Sequence, residues 1–198
     1  MARDLLFHRF VGLGLDQSVP DHSTLWRFRQ RLADGLWDVL LQEINGQLSR
    51  QQLYIKAGGI SIVDASVIQA KQNRPNKGVD GNNTQDKEAG YNVKTSSDGK
   101  QKVTYGFKAH IAVEEDGFIK AGVFTAGHVH DSQCLEPLLS GTESAVYADS
   151  AYKSEKHDAL LAMRGTKNCI LERAYRNKPL TDAQKKRNRH NTQGYVVL

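Results

Sequence analysis

Hydrophobic residues recur along this chain with two different periods, and the change falls near Gly58 and Gly59. Up to that point the spacing is helical. Leu5, Leu6, Phe10, Val11 and Leu13 predict a helix within residues 2–14, ended by Gly12 and Gly14. Pro20, Asp21 and Ser23 punctuate the chain, with Ser23 the expected N-cap of a helix through Leu25, Trp26, Phe28 and Leu32. A third helix is expected over 36–53. Two helices with a short break and Arg27, Arg29 and Arg31 on the second resemble a helix-turn-helix, a pattern many proteins share. Trp26 and Phe28 are expected in a core.

From Ile60 the pattern becomes that of strands. Residues 60–68 form an apolar run broken by Asp64 and small residues, and 69–102 a long polar stretch expected as a surface insertion. The lysines of that stretch either meet phosphates or are solvated. Residues 103–114 and 118–125 alternate around Glu115, Asp116 and Gly117, which predicts a hairpin. A helix through Cys134, Leu135 and Leu138 is expected next, capped by Asp131 or Ser132, with Pro137 in its first turns. A strand ending at Asp149, a helix over 154–163, a strand over 167–171 and a basic helix from Thr181 complete the chain. The predicted fold class is therefore α/β. Residues 58–198 take the order βββαβαβα of a ribonuclease H-like mixed sheet, with insertion 69–102, preceded by a helical region over 1–57 that is a candidate DNA-binding segment.

In such a sheet the first and fourth strands are neighbours, which brings Asp64 beside Asp149. Two close carboxylates repel unless a cation lies between them. Magnesium or manganese, which prefer oxygen ligands, would suit the site. The alternative is that each aspartate caps a turn. His128 and His130, followed by Asp131, sit in a bend where ordering the loop or approaching substrate is the expected role rather than metal ligation. His110 is expected in the core or at a sheet edge, and Tyr152 either hydrogen-bonds near the acid or packs inward.

Charge narrows the choice of partner. The 198 residues carry a formal charge of +5. Between Lys167 and Arg189 the basic residues, Lys185, Lys186, Arg187 and Arg189 among them, far outnumber Glu172 and Asp182. This tail is a phosphate-contact surface or a solvated helix face. The length suffices for a sizeable core. Cys134 and Cys169 are too few for a disulfide framework and lack metal-ligand spacing, so both are expected as buried thiols. No apolar run approaches the roughly 20 residues of a membrane span, and a soluble cytoplasmic protein is expected.

Five blocks in this order, LLFHRFVGLGLDQSVPDHSTLWRFRQRL, IVDASVI, YGFKAHIAVEEDGFI, HVHDSQCLEPLL and VYADSAYKS, resemble the bacterial DDE transposases of the insertion-sequence-five type. The resemblance implies DNA transposition, with magnesium-dependent cleavage and strand transfer at terminal inverted repeats. It implies that Asp64 and Asp149 are the first two catalytic acids and metal ligands, with His130, Asp131 and Tyr152 adjacent. DNA, as terminal repeats and target, is the implied partner, Arg27, Arg29, Arg31, Lys153, Lys185, Lys186, Arg187 and Arg189 are the expected contacts, and the active family works as a homo-oligomer associated with the nucleoid. The family's catalytic glutamate follows an arginine near its end. Here Gly194 stands in the arginine's place and Leu198 in the glutamate's, and Glu172 precedes the final helix. The expectation is a member shortened at both ends, inactive or weak alone, or else a DNA-binding remnant or inhibitor without catalysis.

Overall fold

The computed structural model describes residues 5–14, 16–32, 35–51, 53, 59–71, 86–96, 98–175 and 178–195. The chain divides into two compact units, Met1–Gly46 and Gln47–Leu198, and the division falls inside the third helix. The expected boundary at 57/58 lies outside the described residues.

The first part is helical: α1 (Leu5–Phe10), α2 (His22–Arg31) and α3 (Leu36–Arg50). The cap of α2 is Asp21, not Ser23. Its carboxylate accepts from the Thr24 N–H at 2.7 Å and from the Ser23 hydroxyl at 2.9 Å. These bonds, the Thr24 backbone bond foremost, hold its pKa below the usual carboxylate range. A carboxylate at this position also faces the positive end of the helix. α3 stops at Arg50, short of the expected Leu53. Neither α2 nor α3 buries a residue. Trp26 and Phe28, expected in a core, are 60% and 59% exposed. The helical period located the apolar residues but carried no information on what would cover them.

The second part is built on one mixed sheet of β1 (Ile60–Gln69), β2 (Gly90–Thr95), β3 (Gln101–Val113), β4 (Ile119–Ala126), β5 (Ala145–Ala148) and β6 (Lys167–Ile170). The order is β2-β3-β1-β5-β6, with β4 also on β3. β1, β3 and β4 are antiparallel, whereas β1, β5 and β6 run parallel. This is a mixed α/β, ribonuclease H-like architecture. The hairpin turn forms where expected, with Gly117 at φ 83° and its N–H donating to the Glu114 carbonyl.

Two expectations are corrected. The polar stretch 69–102 is not only an insertion: residues 90–95 make β2, paired to β3 from Gly90↔Gly106 to Thr95↔Gln101. Tyr91, Val93 and Val103 are all about half exposed, so the strand carries little of the buried-face alternation that marks strands in a sequence. Residues 72–85 of that stretch lie outside the described residues. The expected helix after His130 is instead two short 3-10 turns, Asp131–Cys134 and Glu136–Leu138, and the first is capped by His130 rather than by Asp131 or Ser132. Pro137 has no N–H to carry α-helical bonding through this point. The turns still deliver Leu135 and Leu138 to the core.

That core lies on one sheet face, where Val63, Ala112, Val146 and Ala148 meet Leu135, Leu138, Tyr152, Leu161 and Ile170. Helix α4 (Glu155–Met163) starts at Ser154, whose hydroxyl accepts from the His157 N–H. Helix α5 (Asp182–Tyr195) opens with a capping box. The Thr181 N–H donates to Gln184 Oε1 at 2.9 Å and the Gln184 N–H to Thr181 Oγ1 at 3.3 Å. Asn191 ties α5 to the sheet by donating to the Cys169 carbonyl at 3.2 Å. Cys134 and Cys169 are free, buried thiols.

Gly106 sits where β1, β2, β3 and the end of β4 converge. A Cβ there would lie 2.0 Å from the Ile68 carbonyl oxygen and 2.8 Å from the Ala70 nitrogen, both backbone atoms of the sheet. Gly106→Ala is therefore expected to cost about 3 kcal/mol of stability, at the upper end for overpacking because backbone must move. Urea unfolding followed by circular dichroism measures it.

Candidate active site

The parallel register of β1 and β5 sets the geometry of the site. Ile62 is level with Tyr147 and Val63 with Ala148. Each strand's next residue is an aspartate, Asp64 on β1 and Asp149 just beyond β5. Side chains alternate along strands, so Asp64 shares a face with Ile62, and Asp149, whose backbone remains extended at φ −64° and ψ 161°, shares it with Tyr147. The two carboxylates thus stand on neighbouring strands, on one face and at one level. Both are exposed. One oxygen of Asp64 accepts from the Ala65 N–H at 2.7 Å. Asp149 likewise accepts from the Ser150 N–H and caps the 3-10 turn Ser150–Tyr152.

Among the described residues neither aspartate has a cationic partner, and no third His, Cys, Asp or Glu completes a metal-binding group. Two exposed carboxylates held side by side with no cationic side chain against them among the described residues are a hard-oxygen donor pair, and that chemistry fits a divalent cation such as magnesium or manganese. Glu172 is occupied elsewhere. It is bridged to Lys153 at 3.4 Å and bonded by Arg187, while Asn188 clasps its backbone N–H and carbonyl at 2.8 and 3.1 Å.

The other residues singled out in the sequence fall in different environments. His130 is exposed and orders its own loop through Ser132, with Nδ1 to Oγ at 2.8 Å. Asp131 forms an ion pair with Lys108 at 2.8 Å. Lys108 is in register with Val67, one face away from Asp64, so the structure does not bring Asp131 into the row of the two aspartates. The Tyr152 side chain belongs to the core, and its link to Asp149 is by backbone, N–H to carbonyl at 3.0 Å. His110 is fully buried, with Nε2 3.0 Å from the Thr125 hydroxyl, and burial lowers its pKa.

The expected DNA contacts also differ from one another. Arg27, Arg29 and Arg31 are exposed on α2, and Lys186 and Arg189 on α5. Lys185 is paired to Asp182 at 3.1 Å and Arg187 to Glu172. Lys153 is largely enclosed and answers both Asp158, at 2.9 Å, and Glu172. Its neighbour Asn168 also donates to Asp158, at 2.7 Å. The sequence marked Lys153 as basic but could not show that a turn, a helix and a strand end supply its counter-charges. The position of Leu198 lies outside the described residues.

Comparison with known proteins agrees with this architecture. Residues 56–195 match the family of the transposase DDE domain, and residues 1–31 match a second family, the transposase domain DUF772. A transposase for insertion sequence element IS1106 from Neisseria meningitidis serogroup B is 31% identical over 177 residues, covering 83% of this chain and 60% of that protein. The present chain thus spans about 60% of that relative's length. No helix among the described residues is long and apolar enough to cross a membrane. Because the first match takes in the whole sheet and both aspartates, the chain belongs to the DDE-domain transposase family.

Proposed function

We propose that this chain has the chemistry of an insertion-sequence-five type transposase, metal-dependent cleavage and strand transfer of DNA at terminal inverted repeats, and that these 198 residues alone are inactive or weak. The observation that carries this reading is the β1–β5 register, which levels Val63 with Ala148 and so sets Asp64 beside Asp149. Asp64 and Asp149 would hold magnesium or manganese. A divalent ion held by Asp64 and Asp149 would supply activation of a water or 3′ hydroxyl and charge stabilisation of the leaving oxygen in a phosphoryl transfer. The chain's own part is to hold the two carboxylates rigidly: β1 is paired on both sides, and the backbone N–H groups of Ala65 and Ser150 orient the acids. Weak activity follows from the absence of a third acid beside them among the described residues, since loss of one member of a cooperative site costs orders of magnitude in rate.

In this reading residues 1–57 are a DNA-binding region carrying Arg27, Arg29 and Arg31, and residues 58–198 the catalytic domain, working with further copies on terminal repeats and target. Lys186 and Arg189 are the α5 cations best placed for phosphate, being exposed and without acidic partners among the described residues. The same missing acid favours a second reading, a DNA-binding remnant or inhibitor without catalysis.

A supercoiled plasmid bearing the element's terminal repeats, incubated with purified protein and manganese, tests both. The expected result is salt-sensitive binding that favours repeat ends, with slow nicking or none. Efficient nicking at the ends would overturn the inactivity. Cutting without regard to the repeats would replace the transposase reading with that of a general nuclease. Failure to bind at low salt would remove DNA from both readings.

A further inference from the structure

The β2–β3 ribbon carries two lysines that face each other without an acidic partner among the described residues. β1 pairs β3 over Gly106–Val113, whereas β2 pairs it over Gln101–Gly106. The outer part of β3 and all of β2 therefore continue past the body of the sheet as two strands. Alternation sets Asn92 and Lys94 on the same face as Thr104 and Lys102, with Tyr91, Val93, Val103 and Tyr105 on the other. On the polar face a groove of about 350 Å³ is lined by Ala65, Ser66, Val67, Asn92, Lys94, Lys102 and Thr104. It begins at Ala65, which alternation sets on the face opposite Asp64, and none of its lining residues is acidic.

Lys94 is directly opposite Lys102 in the ladder. Like charges in that position destabilise a strand pair, and neither lysine meets an acidic partner among the described residues. Two facing cations, flanked by the cross-strand pair Asn92 and Thr104 that offers amide and hydroxyl donors, form a set that matches phosphodiester oxygens. A phosphate between the lysines would convert their repulsion into binding free energy. A two-stranded ribbon also has dimensions that fit a DNA groove.

We propose that this groove, on the sheet face opposite Asp64, binds the phosphate backbone of duplex DNA, with Lys94 and Lys102 as the two charge contacts. The inference rests on the DNA reading above and names, in a stretch whose lysines the sequence left as either phosphate contacts or solvated, the two that face each other across a ladder. The test is equilibrium binding of a fluorescent duplex carrying a terminal repeat to the 198-residue chain across a salt series. For the Lys94→Gln/Lys102→Gln variant the slope of log affinity against log salt should flatten by about 2, and affinity at moderate salt should fall by about tenfold or more. Lys94→Glu gives Lys102 an opposite charge across the ribbon, so it should raise the melting temperature while weakening DNA binding further. Lysines with a purely structural role would show that rise in stability without the loss of affinity. If the unsubstituted chain binds DNA and both variants bind as tightly with the same slope, the groove assignment fails and the DNA reading stands. If the unsubstituted chain does not bind at low salt, both fail.

Discussion

Asp149→Asn is expected to weaken manganese binding by about a hundredfold or more while leaving the metal-free fold intact. Asp64 and Asp149 are level on neighbouring strands, and neither has a cation beside it among the described residues. Removing one of two carboxylates halves the charge that holds a divalent ion. Changes to groups merely supporting a metal ligand cost roughly 10- to 100-fold in affinity, so loss of a ligand from a pair should cost at least about a hundredfold. Manganese titration followed by water-proton relaxation, with a thermal shift in parallel, measures the effect. Without metal, the substitution removes a like-charge repulsion at an exposed position, so the melting temperature should hold or rise. The amide can still accept from the Ser150 N–H that the carboxylate now caps. Equal manganese binding by the variant and the unsubstituted chain would show that the aspartates do not act as a pair.

The largest expected loss of stability is at the opposite end of the sheet, at Glu143. Its side chain is 1% exposed and 3.7 Å from Lys120, itself 7% exposed. It also accepts from the Ser140 N–H at 2.6 Å, the Ser140 hydroxyl at 2.7 Å and the Gly141 N–H at 2.9 Å. Glu143→Ala would leave the Lys120 ammonium buried with the Ser61 hydroxyl, at 2.8 Å, as its one remaining partner among the described residues. Breaking one side of a buried pair costs about 3–5 kcal/mol, measurable as a shift in the urea midpoint.

The same group predicts a pH dependence. Burial, the largest single influence on Glu143, pushes its pKa up, but the Ser140 bonds, its own backbone and Lys120 together outweigh burial and leave it below the usual range. A carboxyl depressed in the folded state contributes stability above its unfolded pKa, and that contribution is lost as pH falls through the folded value. His110, whose pKa is lowered by burial, acts in the same direction at milder acidity, because the unfolded chain takes up the proton first. Stability should therefore fall in two stages on acidification, and Glu143→Gln should flatten the more acidic one. Urea titrations between about pH 7 and pH 3 would resolve the two.

Much of the sheet was legible because its strands are buried on a face or alternate clearly. β1, β3 and β4 carry apolar residues at spacing two, and the glycine turn between β3 and β4 stands where that spacing breaks. β2 was not legible. Its apolar residues lie half exposed and its lysines face each other, so no contrast between faces marks it until β3 is known to lie alongside. Local hydrogen bonding decided the caps: Asp21 displaced Ser23, and Pro137 kept the segment after His130 from becoming an α-helix. Tyr152 lies close to Asp149 in sequence, yet its ring belongs to the core because the 3-10 turn Ser150–Tyr152 rotates it inward.

The sequence by itself determined the order of strands and helices apart from β2 and the turns after His130, together with the two aspartates and the basic character of the last helix, because these depend on the residue types and on periods of two and 3.6. Only the tertiary structure decided which charges remain available. Lys153, Arg187 and Glu172 neutralise one another across a turn, a helix and a strand end, while Lys94 and Lys102 meet across a ladder with no acidic partner among the described residues. Coulomb energy depends on separation in space, and residues far apart along the chain acquire that separation only when the strands pair.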